Sequence, residues 1–318
     1  MMNLAILGAG RIACTMARTV NGMEDVNLYA VASRSLERAE SFAKEYNIAK
    51  AYGNYEDMLK DENIDLVYIA TPHSHHCAHM KLCADYGKAM LCEKAFTVTK
   101  KEAEEAITYA KERNIFVAEA MWVRYMPMTE TLKEILASGR IGEVIGLTAN
   151  LGYSIMGKER IVNPELGGGA LLDLGVYTLN FATTVFGDDV AKIDSTVVKH
   201  DTGIDKKEFV NLTYGNGEVA GLFNTAETVS DRKGVIYGTK GYMIVDNINN
   251  YEAFHIYNQQ HELLETIERP QQITGFEYQV SACKKALEEG KLECEEMPHA
   301  HTIKIMQIIE DIREQWEK

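Results

Sequence analysis

The stretch "AMLCEKAFTV", residues 89–98, ends an apolar run with two charged residues, Glu93 and Lys94. Such a run is typical of a strand buried on both faces, so Lys94 falls where that strand ends. Ligands of open α/β sheets bind beyond the carboxyl ends of the strands, so the position of Lys94 is one where chemistry could occur. The alternative is a partly exposed ion pair between Glu93 and Lys94, of little energetic value.

A second stretch, "ELGGGALLDLGVYTLNFATTVFG", places three glycines before an almost wholly apolar helix. Asp173 and Tyr177 lie four residues apart on that helix and therefore share one face. A buried carboxylate and phenol need partners, because an unpaired buried polar group costs about 1–3 kcal/mol. Taken alone, Tyr177 could equally be a satisfied core tyrosine.

The elements that must position these residues fall into two parts. Residues 1–121 alternate short apolar runs with longer amphipathic segments, which predicts a parallel sheet covered by helices. Residues 122–318 differ, because from about 190 to 268 the chain reads as successive alternating strands, with a Gly-Asn-Gly hairpin signal. Helices near 275–289 and 300–316 complete an α+β second domain.

The first strand is followed by "GAGRIA", which has G-x-G-x-x-A spacing at the start of a helix. Gly8 permits the tight turn, Gly10 lets the backbone approach a pyrophosphate, and Ala13 allows close helix packing. Arg11 and Ile12 open the helix, whose free N–H groups and positive dipole favour phosphate. The pattern predicts a dinucleotide-binding site.

The end of the second strand bears on the choice of cofactor. An acidic residue usually stands there to bind the ribose of NAD, but this sequence has Ser33 and Arg34. A guanidinium can bind the 2′-phosphate of NADP, which a carboxylate would repel. We therefore expect NADP rather than NAD, the alternative being that Arg34 is a solvated side chain before the next helix.

Composition limits the other partners. With 33 Lys and Arg against 47 Asp and Glu, the net charge is −14, which argues against nucleic acid and anionic membranes. The six cysteines form no C-x-x-C pair, as expected of reduced thiols in a cytoplasmic protein. No basic leader is evident and no apolar run is expected to approach the ~20 residues that span a bilayer.

These stretches resemble the Gfo/Idh/MocA family of oxidoreductases over nearly the whole chain. The likeness is greatest to its dihydrodiol and D-xylose dehydrogenase group, through "ASRS", "AYGNYEDML", "LCEKA", "EAMWVRYMP" and "GGGALLDLGVYT". The resemblance implies a Rossmann domain followed by a domain built on an open, mainly antiparallel sheet, with the substrate between them. It also implies a homodimer formed through that sheet.

The resemblance assigns roles by position. Lys94 matches the family's catalytic lysine, Tyr177 matches the tyrosine of this group, and Asp173 matches the acidic residue one turn earlier. Trp122 resembles the aromatic residue of the substrate pocket. His73 and His76 lie on the loop that resembles the edge of the family's nicotinamide site. The resemblance also assigns Thr71, Glu93 and Lys94 to the cofactor site.

One residue departs from the family pattern, because Ala95 replaces the proline of Glu-Lys-Pro. A cis bond costs ~2.5–4 kcal/mol before alanine and only ~0.5–1 kcal/mol before proline. We therefore expect a trans bond between Lys94 and Ala95.

The resulting hypothesis is hydride transfer between NADP and a sugar, polyol or cyclic diol hydroxyl, with Tyr177 transferring the proton and Lys94 lowering its pKa. Two rivals remain: an NADP-binding regulatory protein without chemistry, and a sugar–sugar oxidoreductase that keeps its NADP bound. Several histidines and a cysteine, His73, His75, His76, Cys77 and His79, match no familiar zinc spacing, so no metal is expected.

Overall fold

The computed structural model describes residues 1–317, and its first unit is built on a six-stranded parallel sheet. The strands are β1 (Met2–Leu7), β2 (Val26–Ala32), β3 (Lys50–Tyr52), β4 (Leu66–Ile69), β5 (Ala89–Glu93) and β6 (Val117–Ala120). They are ordered β3-β2-β1-β4-β5-β6. The chain leaves β1 first in one direction and then in the other, so the carboxyl ends of β1 and β4 form the switch point where such sheets bind ligands.

Helices connect these strands, and side chains cap several of them. They are α1 (Arg11–Asn21), α2 (Leu36–Tyr46), α3 (Tyr55–Leu59), α4 (His76–Asp85) and α5 (Lys100–Glu112). The Ser35 hydroxyl caps α2, and Thr99 and Glu102 form a reciprocal capping box at α5. These caps satisfy N–H groups that the first helical turn leaves without partners.

The second unit is built on an eight-stranded sheet. Its strands are β7 (Val144–Gly152), β8 (Val190–Lys199), β9 (Asp205–Tyr214), β10 (Val219–Thr225), β11 (Gly234–Gly238), β12 (Gly241–Asp246), β13 (Ala253–Asn258) and β14 (Leu263–Glu268). In the order β14-β13-β12-β11-β7-β10-β9-β8, every neighbouring pair is antiparallel except β7 and β10. The predicted fold class, a Rossmann fold followed by a mainly antiparallel α+β domain, is confirmed.

Five further α-helices lie within the described residues: α6 (Pro127–Ala137), α7 (Glu159–Val162), α8 (Val176–Phe186), α9 (Glu277–Glu288) and α10 (His299–Gln315). The predicted hairpin is confirmed, because β9 and β10 pair through a turn in which Gly217 adopts φ +97°. Glycine reaches that left-handed conformation without the steric penalty that a side chain would bring.

Alternation of buried and exposed residues gives the second sheet one covered and one open face. Along β9, Val210 and Leu212 are buried while Phe209 is 56% exposed. On the open face Phe209 stacks on Phe223 with ring centroids 4.5 Å apart. The period of two therefore places a row of aromatic side chains away from the core.

One expectation about apolar runs is wrong. The helical stretch Pro164–Phe186 has 23 residues and a mean hydropathy of 1.2 in its most apolar window, enough by length and composition to cross a membrane. However, 83% of that window is buried in the fold. A helix that is hydrophobic all round can serve as a core helix, which is its role here.

Each of the two compact units is built from two separate segments of the chain. The first comprises Met1–Tyr125 and Gln272–Ile303, and the second comprises Met126–Gln271 and the chain from Lys304 onward. The first break lies within a few residues of the expected boundary after 121. The return of Gln272–Ile303 was not expected, because an amphipathic helix does not reveal in its sequence which sheet its apolar face covers.

Candidate active site

The glycine turn after β1 has the geometry that a dinucleotide requires. Gly8 adopts φ +104°, and a Cβ on it would lie 3.0 Å from the Ala70 carbonyl oxygen. A Cβ on Gly10 would have only that oxygen nearby, at 3.7 Å. The backbone can therefore approach a bound group closely at Gly10, while Gly8 must remain glycine.

The start of α1 is suited to bind phosphate. Gly10 is its N-cap, no side chain caps it, and its first turn, which includes Arg11 and Ile12, holds no acidic residue. The uncapped N–H groups and the helix dipole therefore attract an anion. These features fit the pyrophosphate of NAD or NADP.

At the end of β2 the structure brings in a residue that sequence analysis missed. Ser33 is buried, whereas Arg34 is exposed and precedes the Ser35 cap of α2. Arg38, in the first turn of α2, donates from Nε to the Ala9 carbonyl oxygen at 3.1 Å. A second guanidinium thus lies at the glycine turn, and its spacing of four residues from Arg34 was the available signal.

Both arginines act on the same neighbour. Burial raises the pKa of Tyr55, while the charges of Arg34 and Arg38 lower it, so both cations lie near that phenol. Burial also lowers the pKa of His79 to about 4, which leaves it neutral at physiological pH. The positive charges near Tyr55 are therefore the guanidinium groups of Arg34 and Arg38. Two guanidinium groups together are well suited to bind a phosphate monoester.

The loop after β4 places three predicted residues together. Thr71 contacts the glycine turn, since its Cγ2 would lie 3.0 Å from a Cβ on Gly8. The buried His76 faces the Thr71 carbonyl oxygen through Nε2 at 2.8 Å, and His73 packs against it edge to face at 5.7 Å. Burial lowers the pKa of His76, and hydrogen bonds to backbone carbonyls partly offset that effect. His76 therefore has a structural position between the loops that follow β4 and β5, and does not face solvent.

Glu93 contacts the backbone of Lys94 from a buried position. Glu93 is buried at the end of β5, where its Oε1 accepts a hydrogen bond from the Tyr68 hydroxyl. Its Oε2 accepts from the backbone N–H of Lys94 at 3.2 Å. Glu93 therefore fixes the backbone from which the Lys94 side chain projects.

The expected trans bond after Lys94 is wrong, because the Lys94–Ala95 peptide bond is cis. The carbonyl oxygens of Ala95 and Phe96 lie 3.0 and 3.2 Å from His76 Nδ1. The expectation considered only the intrinsic preference of the peptide bond. In the fold, tertiary contacts to the following carbonyls determine the backbone path.

Glu119, near the end of β6, is a second buried carboxyl that sequence analysis missed. Its Oε2 accepts from the Thr302 hydroxyl at 2.8 Å, and it also accepts from the Phe96 backbone N–H. Burial raises its pKa to about 7. The apolar pattern of β6 gave a strand but did not show that Glu119 faces the segment after Lys94.

Trp122 lies in a short 3₁₀ helix, Trp122–Tyr125, and is only 7% exposed. It packs on Phe276 with ring centroids 4.6 Å apart. A Cβ on Gly275 would lie 2.7 Å from its Cζ3 atom. These neighbours fix the orientation of the indole, and a substrate contact remains a prediction.

In the second unit, Asp173 and Tyr177 lie on consecutive helical turns, as predicted. Leu171–Gly175 is a π-helical turn that continues into α8 at Val176, and both side chains are largely buried. Arg160 of α7 donates from Nη1 and Nη2 to the two oxygens of Asp173, at 2.8 and 3.1 Å. This bidentate contact orients the carboxylate and was not anticipated.

No metal site is formed within residues 1–317. No group of three or more His, Cys, Asp or Glu side chains there could hold an ion. In the histidine-rich loop the Thr71 hydroxyl instead pairs with His79 Nδ1 at 3.0 Å, and the Ser74 hydroxyl pairs with His75 Nδ1 at 3.1 Å.

Two domain descriptions match the sequence. The one for an oxidoreductase family with an NAD-binding Rossmann fold, GFO/IDH/MocA, matches residues 2–120. The one for the GFO/IDH/MocA C-terminal domain matches residues 129–244. Both correspond to sheets described above.

Curated relatives and solved structures agree with this assignment. Trans-1,2-dihydrobenzene-1,2-diol dehydrogenase from Homo sapiens is 34% identical over 291 residues, covering 89% of this chain and 87% of the relative. The enzyme of that name from Danio rerio is 31% identical over 322 residues, covering 98% and 95%.

Two solved structures share the fold at lower identity. A 3-ketoreductase from Actinomadura kijaniata, in complex with NADP and TDP-benzene, is 21% identical with a TM-score of 0.87, covering 98% of this chain and 97% of that one. An aldose-aldose oxidoreductase from Caulobacter crescentus, complexed with glycerol, is 21% identical with a TM-score of 0.88, covering 98% and 96%. With these relatives and both domain matches, the chain belongs to the Gfo/Idh/MocA family of oxidoreductases.

Proposed function

We propose that this protein is an NADP-dependent dehydrogenase that oxidises a secondary or anomeric hydroxyl of a sugar, polyol or cyclic diol, or reduces the corresponding carbonyl. The observation that carries the proposal is Lys94, held at the carboxyl end of β5 by Glu93 on the sheet that presents the glycine turn. Ligands of such sheets bind along that edge. NADP, when bound, supplies or accepts the hydride.

Arg34 and Arg38 support the preference for NADP over NAD. Both cations lie close to Tyr55 and no acidic side chain replaces them at the end of β2. Because a phosphate monoester carries close to two negative charges at neutral pH, two guanidinium groups would bind it far better than a neutral ribose hydroxyl. The A. kijaniata ketoreductase was solved with NADP.

Tyr177 is proposed to transfer the proton of the substrate hydroxyl. A phenol has a pKa of about 10 and is a poor base near neutral pH, whereas a nearby ammonium favours the phenolate. Lys94 would supply that charge, and Asp173, oriented by Arg160, would bind a substrate hydroxyl. Trp122 would offer a flat apolar surface to the C–H face of the substrate.

The substrate class rests on the relatives. The curated relatives from Homo sapiens and Danio rerio are named as dehydrogenases of a trans-diol. The C. crescentus structure is that of an aldose-aldose oxidoreductase. Diols and sugars share vicinal hydroxyl groups, which a carboxylate and a phenol can bind together. The C. crescentus structure also supports a second candidate function, in which NADP stays bound and is recycled between two sugars.

The decisive experiment measures NADP reduction, by nicotinamide absorbance, with a panel of aldoses, inositols and trans-dihydrodiols, and with NAD in parallel. Turnover with NADP on one substrate class, lost in Lys94→Ala, supports the dehydrogenase. NADP that survives gel filtration and turns over only with paired sugars would support the recycling oxidoreductase. Tight NADP binding without turnover would instead indicate a regulatory protein.

We further propose that the protein is a cytoplasmic homodimer formed through the open face of the second sheet. That face carries the Phe209–Phe223 stack and a Tyr242–Tyr257 stack whose ring centroids are 4.9 Å apart. Exposed aromatic rows of this kind mark interaction surfaces. Six cysteines without disulfides are consistent with a reducing compartment.

A further inference from the structure

Strand β9 runs lengthwise beneath the helix that holds Asp173 and Tyr177. At one end the Asp205 carboxylate meets the start of that helix. At the other end Tyr214 packs on Phe186, the last residue of α8, with ring centroids 5.0 Å apart. One strand therefore contacts the helix from its first turn to its last.

Asp205 binds the first turn of this helix. Its Oδ2 accepts from the Leu171 backbone N–H at 2.6 Å, and the Ala170 N–H also donates to the carboxylate. A Cβ on Gly169 would lie 2.3 Å from Oδ1, and Gly169 adopts φ +113°. The last of the three glycines is thus explained, because no other residue could take that conformation and leave room for the carboxylate.

A second contact supports the other end of the π-helical turn. A Cβ on Gly175 would lie 3.2 Å from Glu208 Oε1 and 3.3 Å from Asn224 Nδ2. Thr178 Oγ1 lies 3.0 Å from both the Gly175 carbonyl oxygen and Asn224 Oδ1, and its single proton can be donated to either. Burial raises the pKa of Glu208 well above its usual range, and neither of its carboxyl oxygens has a hydrogen-bond partner within residues 1–317.

π-helical turns are rare, appear mostly as single turns inside α-helices and are frequent at functional sites, so this one needs local support. We propose, on the basis of the function proposed above, that Asp205 is a positioning residue that holds this turn and so sets the register of Asp173 and Tyr177. The Asp205 carboxylate is not placed in contact with substrate or cofactor. Its effect on the reaction is exerted through the backbone of Leu171–Gly175.

The ordinary alternative is that Asp205 only stabilises the fold, as any helix cap does. The two readings differ in what is lost. A purely structural cap would lower stability and leave the folded protein fully active, whereas a positioning residue would lower kcat in protein that is still folded. Binding of NADP, whose proposed site lies in the first unit, would be unchanged.

The test compares Asp205→Ala, the conservative Asp205→Asn and Leu212→Ala in the full-length protein. Leu212, also buried on β9, makes a control that creates a cavity away from the capped turn. We expect Asp205→Ala to lower kcat at least tenfold with unchanged NADP affinity, and Asp205→Asn to recover part of it. Leu212→Ala should lower Tm comparably without lowering kcat. Equal kcat in Asp205→Ala and Leu212→Ala at matched residual stability would overturn the proposal.

Hydrogen exchange supplies a readout that does not require activity. Asp205→Ala should accelerate exchange of amides 171–177 selectively, and Leu212→Ala should not. If the wild-type protein proves inactive, the proposed function fails, and this measurement alone then decides the positioning role. Unaltered exchange at 171–177 in Asp205→Ala would refute it.

Discussion

At the scale of single residues, the proposed proton transfer depends on one hydroxyl group. Tyr177→Phe removes it and should lower kcat by about 10²–10⁴-fold, the usual contribution of acid–base catalysis, with NADP affinity unchanged. Tyr214→Phe is the matched control, because Tyr214 is buried in the same unit and its hydroxyl has no hydrogen-bond partner within residues 1–317. Turnover retained in Tyr177→Phe would rule out this role.

The cofactor preference depends on Arg34 and Arg38. A hydrogen bond to a charged group contributes about 1.5–3 kcal/mol, so Arg38→Ala should raise the Kd for NADP by about 10- to 100-fold and leave that for NAD nearly unchanged. Arg18→Ala, an exposed arginine on α1, controls for the loss of one positive charge. Isothermal titration of each variant with both cofactors measures this. An equal loss for NADP and NAD would show that Arg38 supports the glycine turn instead.

Glu119 gives a prediction about pH and stability. Its pKa is raised to about 7, by burial and the neighbouring Glu93, against the opposing effects of Thr302, Phe96 and Arg124. Between pH 4.5, its ordinary value, and about 7, the folded state holds a proton that the unfolded state has released. Stability therefore falls as pH rises through this window, by about 3 kcal/mol in total from this group.

Glu119→Gln removes that titration. The free energy of unfolding of the variant, relative to wild type, should therefore increase between pH 5 and 7 and then level off. Urea unfolding at several pH values tests this, with the exposed Glu112→Gln on α5 as the control. A difference between Glu119→Gln and wild type that does not vary with pH would contradict the raised pKa.

At the scale of elements, the segment before α9 fixes Trp122. Gly275 adopts φ +95° and a Cβ would lie 2.7 Å from the indole, whereas Gly290 adopts φ +67° with open space around it. Gly275→Ala should therefore destabilise the protein by about 1–3 kcal/mol more than Gly290→Ala, the difference being the steric overlap. If Trp122 contacts substrate, KM should rise in Gly275→Ala alone. If the two substitutions have equal effects on stability and on KM, Gly275 does not fix the position of the Trp122 indole.

The elements also show how far the sequence could predict this structure. The glycine turn, the parallel strands, the hairpin between β9 and β10 and the helix with Asp173 and Tyr177 all follow from local spacing and periodicity. Arg160 and Asp205 could not be predicted as partners of that helix, because their contacts join residues 13 and 34 positions apart in the sequence. The cis bond after Lys94 was not predicted for the same reason, because tertiary contacts outweighed the local preference for a trans bond.

At the scale of the whole molecule, a net charge of −14 opposes association of two copies at long range, so a dimer must rely on apolar contact. The open face of the second sheet offers it at Phe209, which is 56% exposed and stacked on Phe223. A two-fold axis would bring this face onto its own copy, burying the aromatic rows of both.

Phe209→Asp should therefore halve the native mass measured by light scattering, because it would place two like charges in a desolvated interface. Val229→Asp, at a position 71% exposed and outside the strands, adds the same charge elsewhere and should leave the mass unchanged. Since Phe209 points away from the core, the variant should keep its fold, which circular dichroism can verify. A wild-type protein that is already monomeric, or a Phe209→Asp dimer, would exclude this face as the interface.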